Sequence, residues 1–169
     1  SVGASSYILS DPRDLMNYID QVNPHILIGV PRVYERIHAE IVDQIQKRMW
    51  LIRNIIYWAL HIGYQNTHKR NYAAPSGFLD NFLWKFADKF ILQRLCGIFG
   101  SKIRYFISGS AAIPIWLLEW YEAIGIPILE AYGVSENIIP NAINRLSSRK
   151  IGTVGQPLPP NQIILAPDG

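Results

Sequence analysis

Residues 103–131 carry the pattern that constrains the fold most. Ile103–Ile107 is a short apolar run that reads as a strand, and Ser108-Gly109-Ser110 breaks it. Pro114–Ile124 reads as a helix, with proline near its start, where a missing N–H costs nothing, and Gly125 just past its end. Ile126–Ala131 is then a second strand. The order strand, loop, helix, strand implies parallel pairing through a right-handed crossover. A further run, His25–Val30, is apolar and lies between Pro24 and Pro31, which suits a strand buried on both faces. The expectation is an α/β fold, a mostly parallel sheet flanked by helices, with strands at about 26–30, 103–108 and 126–131.

The helices follow from spacing. Asp11-Pro12-Arg13-Asp14 opens one well: Asp11 can cap it, Pro12 fits the first turn and Asp14 faces its positive end. Leu15, Tyr18, Ile19 and Val22 supply its apolar stripe. From Arg32 to about Gln65, Ile37, Ile41, Ile45, Met49, Ile52, Ile56 and Leu60 recur at helical spacing, which predicts one long helix. Its second half is apolar nearly all round and is therefore expected to be buried or covered. Lys69–Gly77 reads as a loop, and Leu79, Leu83, Phe86 and Phe90 mark another helix that ends before Gly97 or Gly100.

A chain of 169 residues with 49% hydrophobic and 17% charged residues can bury one core, which argues against disorder. The net charge of +3 is scattered, so no stripe suits nucleic acid. The single cysteine, Cys96, lies among Leu92, Leu95 and Ile98, where a small buried hydrophobe is expected, and a reducing, cytoplasmic compartment fits that usage. No secretory signal is expected from the opening residues. The apolar stretch Met49–Ile62 is shorter than the roughly 18–20 residues a membrane span needs. Pro167-Asp168-Gly169 reads as a tight turn between strands, so a chain ending there is expected to be an internal segment.

In open parallel sheets, ligands bind beyond the carboxyl ends of the strands. Two segments fall there. Ser108-Gly109-Ser110-Ala111-Ala112 lacks bulky side chains, so a ligand could approach its backbone closely, although a plain strand-to-helix turn explains the same residues. Tyr132-Gly133-Val134-Ser135-Glu136 places a ring, a hydroxyl and a carboxylate within five residues. Such a set could stack on a base, bond a phosphate and bind a hard cation, and a turn followed by solvated polar residues is the plain alternative.

Tyr132-Gly133-Val134-Ser135-Glu136 resembles the Tyr-Gly-x-Thr-Glu motif of the adenylate-forming, or AMP-binding, superfamily. Ile107–Ile113 is similar to the Ser-Gly-Gly-Ala-Pro-Leu segment that precedes that motif. Gly152-Thr153-Val154-Gly155-Gln156-Pro157-Leu158-Pro159 is similar to the Gly-x-Val-Gly-x-Pro-Leu-Pro segment that follows it. Val30-Pro31-Arg32-Val33-Tyr34-Glu35 resembles a stretch typical of the long-chain fatty-acid branch. The resemblance implies the central part of the large N-terminal domain of a fatty-acid CoA ligase, truncated at both ends. Such an enzyme joins a carboxylate to ATP and passes the acyl group to CoA. Ser110, Ala111 and Ala112 would border the adenine, with Glu130 and Ala131 nearby, and Tyr132 would stack on it. Gly133 and Val134 would complete the nucleotide-binding turn, Ser135 would bond the α-phosphate and Glu136 would bind Mg²⁺, these last two being the residues tied to catalysis. Fatty acid, ATP and CoA are the implied partners, with peripheral membrane contact and no nucleic acid.

Two positions depart from the pattern: Ser135 stands where threonine is usual, and Ser110 where a second glycine is usual. The Gly/Ser/Thr-rich phosphate loop is absent upstream, and the ribose-binding aspartate, hinge arginine and catalytic lysine would lie beyond Gly169, so these residues alone are expected to be inactive. His25, His38, His61 and His68 show no ligand spacing. Arg32 and Glu35 are expected in polar contacts at a helix start, and Trp116, Trp120 and Tyr121 suit core packing before any acyl-chain wall. Glu122 carries no ligand role and is expected to be replaceable. The rival reading is a truncated pseudoenzyme or interaction module that uses its apolar helix, about residues 45–62, to bind a partner or membrane surface.

Overall fold

The computed structural model describes residues 3–11, 14–71, 77–136 and 140–164. Its elements in chain order are α1 (Leu15–Val22), β1 (Ile26–Gly29), α2 (Pro31–Gln46), α3 (Trp50–Asn71), α4 (Phe78–Ala87), a π-helical turn (Asp88–Leu92), α5 (Gln93–Cys96) and a 3₁₀ turn (Gly97–Phe99). They continue as β2 (Tyr105–Ser108), α6 (Ile115–Ala123), β3 (Ile128–Tyr132), β4 (Ala142–Ile143) and β5 (Gln156–Pro157). The strands form one sheet in the order β1-β2-β3-β4-β5. The first three pair in parallel, as the strand, helix, strand order requires, and the two short last strands add antiparallel.

The core lies between one sheet face and helices α2 and α6. Phe106 of β2 meets Tyr34 of α2 at a ring separation of 5.3 Å, Tyr121 of α6 at 5.4 Å and Phe99 at 5.2 Å, and all four residues are fully buried. The Tyr34 hydroxyl donates to the Ile107 carbonyl at 2.7 Å, with the Leu27 carbonyl a weaker acceptor at 3.2 Å. It thus ties β1 to β2 near their carboxyl ends. The Tyr121 hydroxyl donates in turn to the Tyr34 carbonyl at 2.9 Å. Burial pushes both hydroxyls far above their ordinary titration range, so both stay donors. Tyr34→Phe should therefore lower stability by about 1–2 kcal/mol, read as a lower urea midpoint at unchanged slope. An unchanged midpoint would mean that the sheet carbonyls gain nothing from the hydroxyl.

Several expectations change. Strand β1 is not buried on both faces: Leu27 faces the helices, whereas Ile28 is 73% exposed on the opposite face. The strand lies at the sheet edge, and covering helices meet only one side of it. The strands also begin later than expected, at Tyr105 and Ile128 rather than 103 and 126. Helix α1 starts at Leu15, and the expected first-turn proline, Pro12, lies outside the described residues. Of its stripe, Leu15 and Ile19 are buried, while Tyr18 is exposed.

The long helix is two. Helix α2 ends in a tight turn in which Lys47 N–H bonds Asp43 O and Arg48 N–H bonds Ile45 O, each at 3.1 Å, and α3 restarts at Trp50. The stripe Ile37, Ile41 and Ile45 is core, but Met49 and Ile52 are exposed. Helix α3 is instead held through Ala59, Gly63 and Thr67, a row of small residues at i, i+4 and i+8 that hydropathy does not reveal. A Cβ on Gly63 would stand 2.6 Å from the Ala123 carbonyl oxygen of α6, so only glycine permits this approach. Bending the chain at 47–49 is what brings that row onto α6. Lys69–Asn71 are likewise helical rather than loop, and residues 72–76 lie outside the described set. Further on, the π-helical turn rotates the following residues, so that Ala87, Leu92, Leu95 and Phe99 are buried while Leu83, Phe86 and Phe90 are exposed.

Candidate nucleotide-binding edge

The register aligns Gly29, Ser108 and Glu130 across β1, β2 and β3, so the carboxyl ends of the three parallel strands share one edge. Gly109 N–H donates to the Gly29 carbonyl at 3.3 Å and closes the end of β2 onto β1. A Cβ placed on Gly109 would lie 3.5 Å from the Ala131 carbonyl oxygen and 3.9 Å from the Ala131 Cβ. The structure therefore brings the Gly109–Ala112 loop against the end of β3. Ser110, Ala111 and Ala112 are exposed, Ala131 is half-buried, and Tyr132 presents its ring with 46% exposure. Gly133, Val134, Ser135 and Glu136 are exposed in the loop that leaves β3. No backbone hydrogen bond joins Ser135 or Glu136 to the Gly109–Ala112 loop.

Ser110 has φ +69, a left-handed backbone that non-glycine residues occupy at a cost of roughly 1–2 kcal/mol. The glycine usual at this place in the resembling segment thus has a conformational reason. Ser110→Gly should raise stability by up to about 1 kcal/mol, the relieved strain being partly offset by the looser unfolded chain. A lower melting temperature would show that the serine side chain contributes more than its backbone costs.

The loop after Glu136 returns as β4, with Asn141 N–H bonding the Tyr132 carbonyl at 2.7 Å. A second loop, residues 144–155, braces the end of β3 from beside it. Asn144 is buried; its N–H bonds the Glu130 carbonyl at 3.0 Å, its Oδ1 accepts Lys150 N–H at 3.3 Å, and its amide donates to the Thr153 carbonyl. Gly155, at φ +79, passes so close to β4 that a Cβ would stand 2.4 Å from Ile143 and Asn144 backbone atoms. Arg149 forks onto both carboxylate oxygens of buried Glu122 in α6 and also donates to the Leu146 carbonyl at 2.8 Å. The expectation that Glu122 is a replaceable carboxylate is therefore wrong. Its signal was present, since a glutamate four residues after buried Leu118 on an apolar helix must find a buried partner.

Glu130 itself lies under this loop. Burial pushes its carboxyl above the usual carboxylate range, and the hydrogen bond from Gly152 N–H opposes part of that shift. A raised folded-state value means that the stability this group contributes is fully present below the ordinary value near 4.5 and is lost as pH rises through the raised one. Glu130→Gln lacks that dependence, so its stability relative to the parent should improve between about pH 4 and pH 7. Parallel urea-midpoint profiles of the two proteins across that range would contradict the shift.

Residues 1–168 match the family described as AMP-binding enzyme. The chain belongs to that family. Among curated AMP-binding relatives, it is 28% identical over 165 residues to fatty acyl-CoA synthetase B of Dictyostelium discoideum, covering 96% of this chain and 24% of that protein. It is 29% identical over 166 residues to the long-chain-fatty-acid–CoA ligase FadD15 of Mycobacterium bovis, covering 95% of this chain and 26% of that protein. The chain thus spans about a quarter of the length of these relatives. The crystal structure of the anthranilate CoA ligase AuaEII in complex with anthranoyl-AMP superposes on 94% of this chain and 21% of that one, with a TM-score of 0.50 at 18% identity, and shows the shared fold. Because the family match crosses both loops of the candidate edge, the reading as a mere interaction module is not favoured.

Proposed function

We propose that these residues are the central part of the large domain of an ATP-dependent long-chain fatty-acid CoA ligase. The observation that carries this reading is the meeting of two loops at one edge of the parallel strands: Gly109–Ala112, small and open at its backbone, against Ala131 and the exposed ring of Tyr132. Ser110, Ala111 and Ala112 border the adenine, with Glu130 and Ala131 behind it and Tyr132 stacked on its face. Gly133 and Val134 carry the chain past the nucleotide, and Ser135 donates its hydroxyl to the α-phosphate. Carboxylate attack at the α-phosphorus releases pyrophosphate; the thiol of CoA then attacks the acyl carbon, and AMP leaves.

Mg²⁺ suits this edge. Glu136 offers one solvent-facing hard oxygen ligand, and Mg²⁺ commonly takes one or two carboxylates with phosphates and water completing its shell. No group of three or more His, Cys, Asp or Glu side chains gathers into a metal site among the described residues, so protein and substrate must share the ion. When bound, it screens the phosphate charge that opposes attack.

The partners under this reading are a fatty acid, ATP and CoA, and the protein is cytoplasmic with peripheral contact to a membrane. No helix among the described residues is long and apolar enough to cross one. The 169 residues alone form no acyl-adenylate, because the groups that hold the β- and γ-phosphates belong to other segments in such enzymes. Pyrophosphate release from ATP and palmitate tests both halves: the full-length protein should turn over and the purified segment should match a heat-treated control. Turnover by the segment, or none by the full-length protein with any straight-chain acid, would overturn the reading.

A further inference from the structure

The corner between α2 and α3 has an unusual surface. Met49 is 70% and Trp50 66% exposed, and Leu51, Ile52, Ile55 and Trp58 continue the same apolar face along the start of α3. Soluble proteins rarely present a contiguous apolar patch of this kind without a binding role. Its charge setting is one-sided. Between Asp43 and Asp80 the sequence has no acidic residue, whereas Lys47, Arg48, Arg53, Lys69 and Arg70 are all basic. Lys47 is paired with Asp43 at 2.6 Å, which leaves Arg48 and Arg53 beside the patch. Across an apolar groove of about 420 Å³ stands a further exposed cation, Arg94, and no acidic side chain lines that groove.

From these features we infer that the α2–α3 corner is the surface by which the protein docks on a bilayer containing anionic phospholipid. Tryptophan, methionine and leucine enter the boundary between headgroups and acyl chains, where an indole is favoured, and Arg48, Arg53 and Arg94 meet lipid phosphates. The short apolar segment suits a helix that lies on the interface rather than one that spans it. The geometry leaves the nucleotide edge clear. Helix α2 begins beside that edge at Pro31 and runs 16 residues, about 24 Å, away from it before the corner. This inference rests on the peripheral membrane contact proposed above and assigns it a place.

The test is co-sedimentation of the purified full-length protein with vesicles of phosphatidylcholine, alone or with phosphatidylglycerol, read together with tryptophan emission. The mixed vesicles should bind it more tightly, with a blue shift, and added salt should weaken binding. Trp50→Glu with Leu51→Glu should lower binding at least tenfold, and Arg48→Glu with Arg94→Glu severalfold, while Ile8→Glu, at an exposed position elsewhere, should change nothing. Circular dichroism and urea midpoints confirm that each variant is folded. Binding that survives both double substitutions would overturn the assignment of this surface and leave membrane contact standing. No binding to either vesicle would overturn membrane contact itself. Self-association that Trp50→Glu with Leu51→Glu abolishes, without vesicle binding, would show a second copy on the patch and overturn the inference.

Discussion

Glu136→Ala in the full-length protein should lose adenylation by a factor on the order of 10² or more while leaving the fold intact. The carboxylate is exposed at the end of the β3 loop, so its removal costs the folded state no more than roughly 0.5 kcal/mol. Its value is confined to the reaction, where losing one hard ligand to the cation removes a few kcal/mol of transition-state charge stabilisation. The defect should be partly relieved by raising Mg²⁺, which a general loss of folding would not show. Glu40→Ala is a suitable comparison: Glu40 is an exposed carboxylate in an i,i+4 pair with Arg36 at 3.0 Å, worth a few tenths of a kcal/mol. Parental rates for Glu136→Ala at limiting as well as saturating Mg²⁺ would return the loop to the status of an ordinary turn.

Glu122→Ala should be the most destabilising single change at the candidate edge, by about 3 kcal/mol. The Glu122 side chain is 4% exposed and Arg149 22%, so deleting the carboxylate strands a guanidinium that only partly reaches water. The pair also joins α6 to the 144–155 loop, which braces β3 through Asn144 and Gly152. Glu122→Leu combined with Arg149→Met should recover much of the loss, because two apolar side chains remove the unpaired charge as well as the bond. A melting temperature for Glu122→Ala within a degree of the parent would show that the pair is solvated and carries little.

Legibility followed the range of each interaction. The βαβ order around α6, with Pro114 before the helix and Gly125 after it, follows from neighbours in sequence, and so do the two loops at the strand ends. Ser110 shows an intermediate case: its departure from glycine was visible, but its cost became visible only with φ +69 in hand. The roles of Tyr34 and Asn144 were not legible, because each spends its hydrogen bonds on backbone groups of other elements, Tyr34 on a carbonyl 73 residues away.

The sequence by itself determined the α/β class, the parallel order of the three main strands and the family, because breakers, local periodicity and short motifs are properties of adjacent residues. Only the tertiary structure decided where the long apolar stretch breaks, which of its faces is covered and which cation meets Glu122. Apolar spacing records that a face can be buried but not what lies opposite it. The row Ala59, Gly63 and Thr67 wins the contact with α6 by being small enough for the two backbones to meet, and that choice leaves Met49, Trp50 and Leu51 facing outward.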